Sequence, residues 1–230
     1  MKNSNRSFRS FRPRAGFTLI EMLVVIAIIG ILAALIVGGA GYAISKGRQS
    51  RVQAERDALV TYIQSYKKAK GFYPPDNTNN TAQASLFYEL TGTAPTTVSG
   101  QPGFVSSVTQ DALTTNSIAT IFGVGGFVNS SPDPGNVNNF APAVAKSGGT
   151  ASFYVSGNSG PTFTLFGVPV PGPASSMTNS STGKAVNLWH YVSNNPTNKP
   201  DSYDLWMDVL YGGKTNRISN WSTDPQVVSY

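Results

Sequence analysis

Residues 22–44 run for 23 positions without a charged side chain or a proline. No other feature constrains the fold so sharply. At 1.5 Å per residue the run makes about 34 Å of helix, enough to cross a hydrocarbon core of about 30 Å. The first 16 residues hold Lys2, Arg6, Arg9, Arg12 and Arg14 and no acid. This asymmetry predicts a single-pass helix with the N-terminus in the cytoplasm and everything after residue 44 on the far side of the membrane. The run is too long for the apolar core of a cleaved secretory signal, which spans about 7–15 residues. A plain signal anchor fits length and charge equally well, but leaves Glu21 unexplained. A carboxylate near bilayer depth costs on the order of 2.5–3.5 kcal/mol and needs a partner. No Lys or Arg lies within one turn on its C-terminal side.

A length of 230 residues allows one domain, or a small domain with appendages. The net charge of +6 belongs mostly to the leader, because residues 71–230 carry five basic against eight acidic side chains. That distal segment is mildly acidic, which argues against a nucleic-acid surface. With no Cys and a single His, the chain offers no disulfide framework, thiolate metal site, Cys nucleophile or multi-histidine zinc site. Only 12% of residues are charged, against a usual value near 25%, so Ser, Thr, Asn and Gly must cover much of the surface.

The segment Arg14-Ala15-Gly16-Phe17-Thr18-Leu19-Ile20-Glu21-Met22-Leu23 and its apolar continuation to Ala34 resembles the class III signal of type IV pilins and of the pseudopilins of type II secretion. The resemblance implies cleavage after Gly16 by a prepilin peptidase, N-methylation of the new N-terminal Phe17, and pairing of Glu21 with the amine of a neighbouring subunit. It also implies an α+β, pilin-like fold. In that fold a long N-terminal helix, half membrane-spanning and half amphipathic, packs on a small antiparallel sheet with long irregular loops. The expected organisation is a basic leader over 1–16, a helix over 17–70 with its assembly part over about 17–44, and a β-rich periplasmic domain over 71–230.

Beyond the membrane, Val52, Leu59, Ile63 and Tyr66 follow one another at spacings of seven, four and three, one face of a helix, with Arg48, Arg51, Glu55 and Arg56 expected elsewhere around it. Gly71 and Pro74-Pro75 end the pattern. Gly38-Gly39-Ala40-Gly41 stands where many family members have a proline. Three glycines in four residues read either as a point of local melting or as close helix packing.

In the distal domain, residues 151–155 and 161–166 read as strands, and residues 81–90 as a short helix. The Ser/Thr/Asn/Gly-rich stretch over 92–187 reads as loop insertions poor in core material. Two further segments resemble the major pseudopilins of type II secretion: Gly71-Phe72-Tyr73-Pro74-Pro75-Asp76 after the helix, and Tyr203-Asp204-Leu205 followed by Asn220-Trp221 near the end. In those proteins the loop after the Tyr-Asp-Leu strand binds one calcium. Here Asp201, Asp204 and Asp208 are the acids on offer, yet residues 211–217 lack the family's acidic cluster, and the three also read as surface aspartates in turns. Ser65/Lys68 and Ser181/Lys184 match a Ser-x-x-Lys pattern without any accompanying motif. His190 lies beside Trp189 and Tyr191 with no titratable partner nearby, and Trp189, Trp206 and Trp221 are expected in the core.

The resemblance therefore implies a non-enzymatic filament subunit with no cofactor apart from that calcium. Its expected partners are copies of itself, other pseudopilins, a prepilin peptidase and an inner-membrane assembly platform. It would sit first in the bacterial inner membrane and then in a periplasmic filament that acts mechanically in type II secretion. Two alternatives remain: a surface type IV pilin or minor pilin for adhesion, motility or DNA uptake, and a signal-anchored periplasmic binding domain that never polymerises.

Overall fold

The computed structural model describes residues 16–133, 136–142, 151–154, 161–173, 177–178 and 185–229. The leader, apart from Gly16, lies outside the described residues, as does part of the stretch expected to be loops. One helix, α1 (Leu19–Lys70), dominates the chain, and its first window is long and apolar enough to cross a membrane. It passes through residues 38–41 as continuous helix. Gly71 ends it with φ +87° and its N–H on the Lys67 carbonyl at 2.9 Å, a left-handed cap that a residue with a Cβ adopts only at a cost.

The chain divides into two compact units at residues 44 and 45. In the second unit, a single 3₁₀ turn (Thr81–Gln83) precedes α2 (Leu86–Thr91), so the expected helix over 81–90 is broken at residues 84 and 85. Next come β1 (Thr93–Val98), β2 (Gln101–Ser106), β3 (Ala112–Thr114) and α3 (Thr115–Phe122). They are followed by β4 (Ala151–Tyr154), β5 (Thr164–Val168), β6 (Met177–Thr178) and β7 (Ala185–Leu188). β8 (His190–Val192), β9 (Asp204–Tyr211), β10 (Lys214–Ser219) and β11 (Gln226–Val228) complete the fold. Among the described residues the named strands pair antiparallel, in three small sheets ordered β1-β2-β3, β4-β5-β7-β6 and β11-β10-β9-β8. The fold is α+β.

The stretch over 92–187 is not merely loop. It supplies a three-stranded meander, a helix and most of a second sheet. A few apolar side chains suffice for this: Leu113, Ile118, Phe122, Phe163, Leu165 and Phe166 are all buried, and Phe122 meets Tyr88 and Phe163 edge-on at 5.4 and 5.7 Å. One cluster joins them to Val52, Leu59, Ile63 and Tyr66 of α1, all four fully buried, and to Leu205, Met207 and Val209, which alternate along β9. The stripe expected on α1 is therefore the seam of the globular unit.

Two hairpins follow directly from local chemistry. Ser99-Gly100 and Gly212-Gly213 each have two consecutive positive φ values, 50° and 79°, and 60° and 72°. This is the two-residue turn that matches strand twist. β9 and β10 are therefore joined with Tyr211 opposite Lys214 and no excursion between them.

Candidate functional site

The N-terminal unit is built around a capping arrangement. Thr18 immediately precedes α1, and its N–H and hydroxyl both donate to the Glu21 carboxylate at 2.7 Å, while the Glu21 N–H donates back to the Thr18 hydroxyl at 3.3 Å. This Thr-x-x-Glu box satisfies N–H groups that the first turn leaves without a partner. Within one chain, Glu21 is thus held by Thr18. Around it, every residue from 16 to 37 is exposed, including Phe17, Leu19, Ile20 and Ile36. An apolar surface on all sides of a helix is stable only against lipid or other apolar helices.

The C-terminal half of α1 carries functional geometry of another kind. Glu55 is buried, 7% exposed, and accepts a hydrogen bond from Trp189 Nε1 at 3.3 Å. Burial raises its pKa to about 7 against the opposing pull of Trp189 and Arg51. Its expected place on the polar side of the helix is corrected. The gap of seven between Val52 and Leu59 skips one position of the inward stripe, and Glu55 fills it, a signal present in the spacing. Glu89 is also fully buried. It receives Val128 N–H, Asn129 N–H and the Tyr66 hydroxyl at 2.8–2.9 Å, and burial raises its pKa.

The turn after α1 and the stretch containing Tyr203-Asp204-Leu205 and Asn220-Trp221 meet in space. Asn220 donates through Nδ2 to the Tyr203 carbonyl at 2.8 Å, and its Oδ1 accepts the Leu205 N–H at 3.0 Å. The Asn220 N–H in turn reaches the Leu205 carbonyl at 3.0 Å. The Tyr203 ring lies 5.0 Å from that of Tyr73, and the Pro74 carbonyl accepts the hydroxyls of Tyr191 and Ser193 at 3.0 and 2.8 Å. One asparagine therefore clamps the Tyr-Asp-Leu strand, and the turn after α1 is stapled beside it.

A family model described as the prokaryotic N-terminal methylation motif matches residues 11–37, which include Gly16, Phe17 and Glu21. The type IV major fimbrial protein FimA of Dichelobacter nodosus is 35% identical over 112 residues, covering 47% of this chain and 70% of that protein. The chain belongs to the type IV pilin-like proteins. No solved structure matches it significantly.

In this pilin-like protein the three aspartates expected to hold calcium do not converge. Asp204 is buried and accepts the Asn198 N–H, Asn198 Nδ2 and the Lys199 N–H at 2.9–3.0 Å. Asp208 is buried and paired with Arg217 through two hydrogen bonds of 2.8 and 2.9 Å. Asp201 is exposed in the preceding turn. No group of three acidic or histidine side chains able to hold a metal occurs among the described residues. Where the calcium-binding loop would follow the strand, the described residues form the Gly212-Gly213 turn, and residues 214–217 belong to β10. These residues do not fit the ion, which needs six to eight oxygen ligands from one cage.

His190 is half-buried, with Nδ1 2.8 Å from the Thr81 hydroxyl and its ring stacked on Trp206 at 5.0 Å. Burial lowers its pKa, as does nearby Arg217, against the opposing pull of Asp208. Ser65 donates to the Thr61 carbonyl of its own helix at 2.9 Å, whereas Ser181 and Lys184 lie outside the described residues. Of the three tryptophans expected in the core only Trp189 is buried; Trp206 and Trp221 are half-buried.

Proposed function

We propose that this type IV pilin-like protein is a subunit of a periplasmic pseudopilus that acts mechanically in type II protein secretion. Prepilin peptidase cuts after Gly16, Phe17 becomes the methylated N-terminus, and the cytoplasmic-side leader is lost. The apolar half of α1 first anchors the subunit in the inner membrane and then packs against copies of itself and other pseudopilins. On assembly Glu21 exchanges its bonds to Thr18 for the new amine of a neighbour. In an apolar bundle an unpaired charge of either sign is strongly penalised, so this exchange fixes the subunit register.

The observation that carries the secretion reading is the Asn220 clamp on Tyr203 and Leu205 beside the stapled Gly-Phe-Tyr-Pro turn. It gathers the segments that resemble the major pseudopilins. The similarity to a major fimbrial protein favours the second reading, a surface pilin.

Deletion of the gene in its native host separates the two readings. Loss of proteins from the culture medium, with sheared surface fibres retained, supports secretion; loss of fibres with secretion intact supports the surface pilin. Intact mass of the membrane-extracted protein should show a chain beginning at Phe17 and one methyl heavier. A mature chain beginning at Met1 would remove both filament readings.

A further inference from the structure

We propose that a shallow groove between α1 and residues 219–223 binds one neutral pyranose ring of a glycan. The groove, of about 230 Å³, is lined by Arg56, Asp57, Asn220, Trp221, Ser222 and Thr223. It is smaller than the roughly 300 Å³ at which pockets for drug-sized ligands begin, so a single ring suits it better than a larger molecule.

Its chemistry favours a sugar. The Trp221 indole is half-buried and lies 5.9 Å from Trp206, which in turn stacks on His190. Trp221 is the aromatic side chain lining the groove, and the C–H groups of a pyranose stack on such a ring. Around that ring stand hydrogen-bonding groups without net charge. Arg56 pairs with Asp57 at 2.8 Å and donates to the Ser219 and Ser222 carbonyls at 3.1 and 3.2 Å. Its guanidinium is fixed and neutralised, which disfavours a phosphate or other anion. The Asp57 side chain remains 66% exposed, open to sugar hydroxyls.

Ser219 reaches the groove wall through its backbone carbonyl, which accepts from Arg56, while its side chain is fully buried. An extended peptide is disfavoured because β10, which leads into this segment, already has β9 and β11 on its two sides and offers no free edge.

The test uses the full-length chain in a detergent without a sugar headgroup, read by tryptophan fluorescence and ligand-observed NMR. The N-acetylglucosamine tetramer stands for cell-wall glycan strands; cellotetraose and maltotetraose stand for non-acetylated polysaccharides. Saturable binding of at least one probe is expected at about millimolar Kd. Trp221→Ala should weaken it at least about 10-fold, equivalent to about 1.4 kcal/mol. Thr223→Arg, at an exposed position on the rim, should do the same with an unchanged melting curve, and it decides the matter if Trp221→Ala does not fold. The proposal is overturned if none of the three probes saturates below about 50 mM, or if both variants bind as the parent does. A fluorescence change that follows protein concentration and ignores the sugars would assign the groove to a second copy of the chain and equally overturn it.

Discussion

Glu55→Gln should make the globular unit more stable at pH 8 and leave it nearly unchanged at pH 4.5. The side chain is 7% exposed and its pKa stands at about 7 in the fold against an ordinary 4.5. The folded state therefore holds the proton more tightly than the unfolded chain. The stabilisation from the protonated carboxyl is complete below about pH 4.5, shrinks as pH rises and is gone above about 7. A shift of about 2.5 pH units at 1.36 kcal/mol each gives roughly 3 kcal/mol, or about 6–12 °C in Tm for a unit of this size. Gln keeps the size of Glu and an oxygen to accept from Trp189 Nε1, but carries no charge at any pH. Thermal melts of the full-length parent and variant, in the same detergent from pH 4.5 to 8, measure the difference. Glu89 titrates in the same direction in both proteins and cancels. Parallel curves across the whole range, or a parent that gains stability over the variant as pH rises, would refute the assignment of Glu55 to a desolvated site.

Asn220→Ala removes two side-chain hydrogen bonds to the Tyr203–Leu205 backbone and should cost about 1–3 kcal/mol in urea unfolding; no change in midpoint would show that the clamp is not structural. Gly213→Val places a β-branched residue at φ +72° and should cost about 1–3 kcal/mol, with a far smaller penalty at Thr215, which lies within β10. Millimolar calcium against a chelator should leave Tm unmoved, because Asp204 and Asp208 are engaged by backbone N–H groups and Arg217. A rise of several degrees would mean that an ion binds the folded state after all.

The helix was legible because two separate patterns mark it. An uninterrupted apolar run sets the first half, and the 52/59/63/66 stripe sets the second. Glu55 escaped because residue type argued for solvent while position argued for the seam, and position prevailed once Trp189, 134 residues away, supplied a donor. Outside the strands read at 151–155 and 161–166, the 92–187 stretch read as loop because its core residues are sparse and far apart: β1 and β2 carry few large apolar side chains, and β3 and β6, of three and two residues, show too little alternation to be read. The aspartates stood as a possible cage only because the resemblance to the major pseudopilins implied one, and no local pattern tells that Arg217 lies opposite Asp208 across the hairpin.

By itself the sequence determined what is local. The class III signal, the span of the apolar run, the capping Thr18 and Glu21, the end of α1 at Gly71 and the Gly212-Gly213 turn all follow from neighbours a few residues apart. Tertiary structure alone decided which side chains at long separation share a site. It brought Trp189 to Glu55, Asn220 to Tyr203 and Leu205, Arg56 to Ser219 and Ser222, and three backbone and side-chain donors to Glu89. A buried polar group must find its partner wherever the chain folds back, and that pairing is fixed by the shared core of α1 and the elements around it rather than by any pattern along the chain.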